Sequence, residues 1–118
     1  MKEFLLIVKT EGEVWTLLPP DKLKKHIEHG TAYINKLAEQ GKIKSAQPLD
    51  NGSRIVSKSN GVLKDAPFNE TKEVIAGYFL VVAGTIQEAV AIAKENPIFD
   101  DIASTIEVHP VKPIPTST

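Results

Sequence analysis

A histidine held against a carboxylate keeps its imidazole in one tautomer and becomes a better base. This chain offers His26 and Asp65 for such a catalytic pair. His26 lies about 60° from the centre of an apolar helical stripe, at ~100° per residue. Side chains on such a border are half-buried and can face a cleft, and Tyr33, two turns on, shares the border. The competing reading of Asp65, two residues before Pro67, is turn chemistry, its carboxylate capping nearby N–H groups. The competing reading of His26 is an ordinary boundary histidine. Lys72 and Glu73 precede a strongly apolar segment. Lys72 is a candidate anchor for an anionic ligand; otherwise the two make surface ion pairs. Glu107 and His109 share one parity of a C-terminal strand, and Ile106 and Val108 share the other. If the apolar pair faces the helices, Glu107 and His109 face away from them, lining a polar cavity or forming a plain polar edge. Phe68 completes the ligand-binding set, although packing is the commoner role for it and for Trp15. His26 and His29 are spaced for two-point metal ligation, but no third ligand follows, so no metal is expected.

Composition narrows the chemistry further. The 118 residues contain no cysteine, which removes disulfides, thiol catalysis and zinc–thiolate centres. The net charge of −1 provides no basic field for phosphates, so nucleic acid is not an expected partner. No run approaches the roughly 20 apolar residues of a membrane helix, and a cytoplasmic, membrane-free protein is expected. Hydrophobic residues at 42% and charged residues at 25% suit a single globular domain. No phosphate-binding loop, dinucleotide fingerprint or nucleophile elbow occurs, and no cofactor is expected.

The elements that must position these residues follow from apolar periodicity. Residues 4–8 and 74–83 are apolar on both parities, as in central strands covered on both faces. Pro20 and Asp21 open a helix whose stripe runs through Leu23, Ile27, Ile34 and Leu37, with Ala38 beside them, and Gly41 ends it. Gly30 on this stripe predicts close approach to whatever lies beneath. Ile43–Leu49 and Arg54–Ser57 form strands around the turn at Asp50-Asn51-Gly52. Asn60-Gly61 marks another turn, and 62–71 reads as a loop with some strand at its start. Thr85 and Glu88 form a capping box for a second helix stopped by Pro97, and 106–108 forms the last strand. The order predicts a ferredoxin-like βαββ(β)αβ antiparallel sheet with both helices on one face. Residues 1–111 make the domain and 112–118 a flexible tail. Because both central strands are apolar on both faces, the uncovered face predicts a homodimer packed sheet face to sheet face.

The residues also carry a resemblance. Asp65-Ala66-Pro67-Phe68 followed by Glu70-Thr71-Lys72-Glu73 is similar to the Asp-Gly-Pro-Phe…Glu-Thr/Ser-Lys-Glu motif of the YCII-related (DGPF-type) family. Ala76-Gly77-Tyr78, Glu88-Ala89, Glu107-Val108-His109-Pro110 and the spacing of His26, Tyr33, Ile34, Leu37 and Gly41 resemble further stretches of that family. The resemblance spans about residues 3–111. It implies a dimeric α+β barrel with a polar cleft, and a His–Asp pair is suspected of catalysis in a related branch. The chain departs from the pattern where Ala66 and Ala76 replace Gly and where His109 replaces Arg. If position 66 needs positive φ, Ala66 is strained.

Two functions are expected from this. The first is His26/Asp65 acid–base chemistry, lyase- or isomerase-like, on a small organic substrate. The second is a non-catalytic metabolite- or protein-binding module linked to transcriptional regulation, as relatives beside sigma-factor-like regulators imply. A third reading is a structural remnant without a ligand.

Overall fold

The computed structural model describes residues 1–67 and 73–115. The elements are β1 (Lys2–Thr10), α1 (Val14–Leu17), α2 (Pro20–Glu39), β2 (Ile43–Pro48), β3 (Arg54–Ser59), β4 (Val62–Pro67), β5 (Val74–Ala83), α3 (Ile86–Lys94), α4 (Ile98–Asp101) and β6 (Ser104–Pro110). The main sheet is antiparallel, in the order β2-β5-β1-β6. This is the ferredoxin-like arrangement, with the β3–β4 hairpin inserted as a separate two-stranded sheet. No helix among the described residues is long and apolar enough to cross a membrane.

Strand alternation decides the two faces of the sheet. Phe4 and Leu6 of β1 and Val81 and Ala83 of β5 point into a core closed by Tyr33 and Leu37 of α2 and by Ala89, Ile92 and Ala93 of α3. Ile106 and Val108 of β6 pack against the same core. The opposite parity carries Leu5, Ile7, Tyr78, Leu80 and Val82, none fully buried. Both long helices therefore cover one face, and the other presents an apolar band. The expected capping box forms at α3: Thr85 Oγ1 accepts from the Glu88 N–H at 3.2 Å. The Glu88 carboxylate reaches back to the Gly84 N–H at 2.8 Å.

The hairpin differs from expectation. Arg54–Ser59 does not return along β2; it pairs with Val62–Pro67, where the sequence suggested a loop with some strand only at its start. Asn60 and Gly61 both take positive φ, 52° and 76°. Two consecutive left-handed residues form the primed turn whose twist matches a two-residue hairpin. β2 pairs instead with β5. Ala66 lies inside β4, and Asn60 is the one non-glycine residue with positive φ among those described, so Ala66 carries no such strain. Every residue of β3 and β4 is exposed. The hairpin stands off as an arm, and the radius of gyration is 16.4 Å against about 13–14 Å for a compact domain of this length.

Gly77 locks β2 onto the sheet. A Cβ at this position would lie 2.6 Å from the Gln47 carbonyl oxygen, so only glycine lets the two backbones approach this closely.

Candidate functional site

α2 is buried unevenly along its length. Its C-terminal half is clamped by buried Tyr33 and Leu37, whereas Leu23, His26 and Gly30 toward its N-terminus are only half-buried. The inward line is therefore 23, 26, 30, 33 and 37, with steps of three and four. Ile27, expected on the stripe, is 44% exposed. Gly30 does not serve close approach: no atom lies within 4 Å of where its Cβ would be. The diverging half-helix leaves a cleft of about 260 Å³. Its roof is Leu23, His26, Ile27, Gly30 and Ile34, and its floor is Val8, Gly77 and Phe79. Trp15, the Ala46–Pro48 edge of β2 and the Asn96–Ile98 turn close the sides. The lining is mostly apolar, and among the described residues it contains no Lys or Arg.

His26 is the ionisable group in this wall, and its partner is Asp101 at the end of α4. The Nδ1 to Oδ2 distance is 2.8 Å, with the side chains 17% and 23% exposed. An ionised carboxylate only accepts, so Nδ1 donates; in the neutral ring Nε2 is then left with its lone pair. The arrangement can take a proton from a molecule in the cleft and hold the resulting imidazolium beside a carboxylate.

The other expected site residues do not join His26. Asp65 lies on the exposed arm, where it accepts from Arg54 Nε at 2.8 Å. The His26–Asp65 pairing is thus replaced by His26–Asp101, because Asp65 belongs to a hairpin that stands off the helices. Tyr33 does not line this cleft: its ring is buried edge-on against Phe79, with centroids 5.6 Å apart. Its hydroxyl donates to the Ile92 carbonyl, and burial pushes its pKa well above the ordinary value of 10.0. Phe68 and Lys72 lie outside the described residues. Asp101 carried no sequence signal, since it reaches His26 across 75 residues from a one-turn helix.

Glu107 and His109 are on the sheet face away from the helices, as the parity of β6 requires. There Glu107 accepts from Lys9 Nζ at 2.6 Å and pairs with His109 Nε2 at 2.9 Å. Glu73 is exposed beside this cluster, and its charge acts on Lys9. Bonding to Lys9 first, and then to His109, holds the Glu107 carboxyl below its ordinary value of 4.5. Bonding to Glu107 raises Lys9, against some desolvation. The sign follows for each group. The contribution of Glu107 to stability is present above its unfolded-state pKa and is lost as pH falls through the lowered folded value; that of Lys9 is present below its unfolded-state pKa and is lost as pH rises through the raised one. A carbon-detected NMR titration should find the Glu107 midpoint below 4.5, and Lys9→Met should return it toward that value. An unmoved midpoint in the variant would disprove the coupling.

A family model described as the YCII-related domain matches residues 1–115. No curated protein matches the chain. Among solved structures, the 5-chloro-2-hydroxyhydroquinone dehydrochlorinase (TftG) from Burkholderia phenoliruptrix AC1100, in complex with 2,5-dihydroxybenzoquinone, is similar at 16% identity. The match covers 89% of this chain and 90% of that one, with a TM-score of 0.45.

Proposed function

Because the chain belongs to the YCII-related domain family, we propose that it binds a small organic molecule in the cleft under α2 and moves a proton on it with His26. The observation that carries this reading is the 2.8 Å His26–Asp101 contact at the wall of an apolar cleft. Asp101 orients the ring and stabilises its charged form; His26 Nε2 is the acceptor for an acidic C–H or O–H. Such chemistry serves eliminations and isomerisations, in which one base removes a proton and a bond rearranges. The apolar walls exclude water from the proton's path. In the same reading two copies pack through the uncovered sheet face. The band of Leu5, Ile7, Tyr78, Leu80 and Val82 supports it, since a soluble chain seldom leaves a continuous apolar surface in water.

Deuterium incorporation from D2O into a panel of neutral, C–H-acidic ring compounds tests the chemistry. Exchange catalysed by the wild type is expected to fall by about 100-fold or more in His26→Gln, the ordinary weight of a general base. Asp101→Asn is expected to fall as well, because the amide no longer fixes the Nδ1–H tautomer. Exchange that survives His26→Gln unchanged, or no exchange by the wild type at all, would leave a non-catalytic binding module.

A further inference from the structure

Resting on the reading of this cleft as the ligand site, we infer that Gly30 determines its specificity. The missing side chain makes room, one helical turn from His26, for a neutral and mainly apolar ring-shaped molecule.

The argument begins with why a glycine stands there. Glycine in a helix interior is destabilising relative to alanine, because the unfolded chain has more freedom to lose. Two structural reasons commonly offset that cost, a left-handed backbone or a close approach. Gly30 has neither: its φ is not positive, and an added Cβ would meet nothing within 4 Å. Gly77, also in the lining of the cleft, is the contrasting case, with backbone 2.6 Å from its would-be Cβ. What Gly30 does provide is volume. It lies on the inward line of α2 between His26 and Tyr33, and any side chain there would project into the 260 Å³ space.

Size and charge then define the guest. An apolar cavity of about 150 Å³ holds benzene, so this cleft takes one substituted ring or two fused rings. A carboxylate or phosphate would be desolvated here with at most His26, already paired to Asp101, as a cationic partner, since no Lys or Arg lines the cleft among the described residues. A hydroxyl or other weakly acidic hydrogen can instead meet the His26 acceptor nitrogen.

The test uses the full chain with 2-naphthol and its anionic counterpart 2-naphthoate at neutral pH, followed by amide chemical shifts. 2-Naphthol is expected to shift the amides of Trp15, Gly30 and Ile34, and 2-naphthoate to bind at least tenfold more weakly. Gly30→Ala is expected to raise the melting temperature, and Gly30→Leu to weaken 2-naphthol at least tenfold while remaining folded. Equal or tighter binding of 2-naphthoate would overturn the inference. So would a Gly30→Leu variant that binds as the wild type does, or a lower melting temperature in Gly30→Ala. Failure of both probes to bind, as when the arm of a second copy fills the cleft, would overturn it too. The proton-transfer reading fails separately: if 2-naphthol binding depends on Gly30 but deuterium exchange ignores His26→Gln, the cleft assignment stands and the chemistry does not.

Discussion

Leu80→Glu is expected to leave the chain folded but monomeric, its mass in light scattering falling from twice 12.9 kDa to 12.9 kDa. Leu80 sits at the centre of β5 on the uncovered sheet face, registered against Leu5 of β1 and Ser45 of β2. In a single chain that position is only partly covered, so a carboxylate there stays hydrated and costs the fold little. In the proposed dimer the same carboxylate lies between two sheets, and two-fold symmetry introduces it twice. Desolvating a charge without a partner costs several kcal/mol, and each ~1.4 kcal/mol is tenfold in dissociation constant. A weakening of at least about 100-fold follows. A wild type that is monomeric at micromolar concentration, or a variant that still dimerises, would remove the sheet-to-sheet assembly.

The second large effect is on the fold itself. Tyr33→Ala should lower stability by about 3–5 kcal/mol, the usual range for emptying a buried aromatic site. Tyr33 is 7% exposed, packs on Phe79 and joins α2 to α3 through the Ile92 carbonyl. Tyr33→Phe keeps the ring and removes only the donor, so it should cost about 1 kcal/mol, or somewhat more if the carbonyl finds no water. Thermal unfolding of the two variants separates packing from hydrogen bonding. Equal losses would mean that the hydroxyl, and not the ring, ties the helices together. A loss under about 1 kcal/mol for Tyr33→Ala would mean that the site collapses easily.

These contrasts also show what a sequence can and cannot convey about this molecule. β1 and β5 were legible because they are apolar on both parities, and the start of α3 because Thr85 and Glu88 stand three apart. Where a decision depended on a distant partner, local pattern misled. The signal at Asp50-Asn51-Gly52 is a turn in composition, yet β2 finds its neighbour in β5, on the far side of the arm. Asn60-Gly61 is the hairpin turn, because there, alone among the described residues, two successive residues take positive φ. On α2, weighing residues by hydrophobicity put Ile27 inward and left His26 on the border. His26 is turned inward because a carboxylate from a one-turn helix meets it, and a pairing across 75 residues leaves no trace in helical periodicity. The family motif points to Asp65 as the acidic partner, but Asp65 sits on the arm, paired to Arg54.

The backbone contact at Gly77 makes the floor of the cleft a stiff plate. β2 and β5 touch there without slack, and the hydrogen-bonded sheet behind them resists bending. The opposite wall resembles a lever: one half of α2 is buried through Tyr33 and Leu37, and the other, only half-buried, is tied to α4 by the His26–Asp101 contact. In the proposed site, a guest thicker than the resting gap would meet less resistance from that half of the helix than from the sheet. The same two side chains that would handle its proton thus also set how wide the jaw opens.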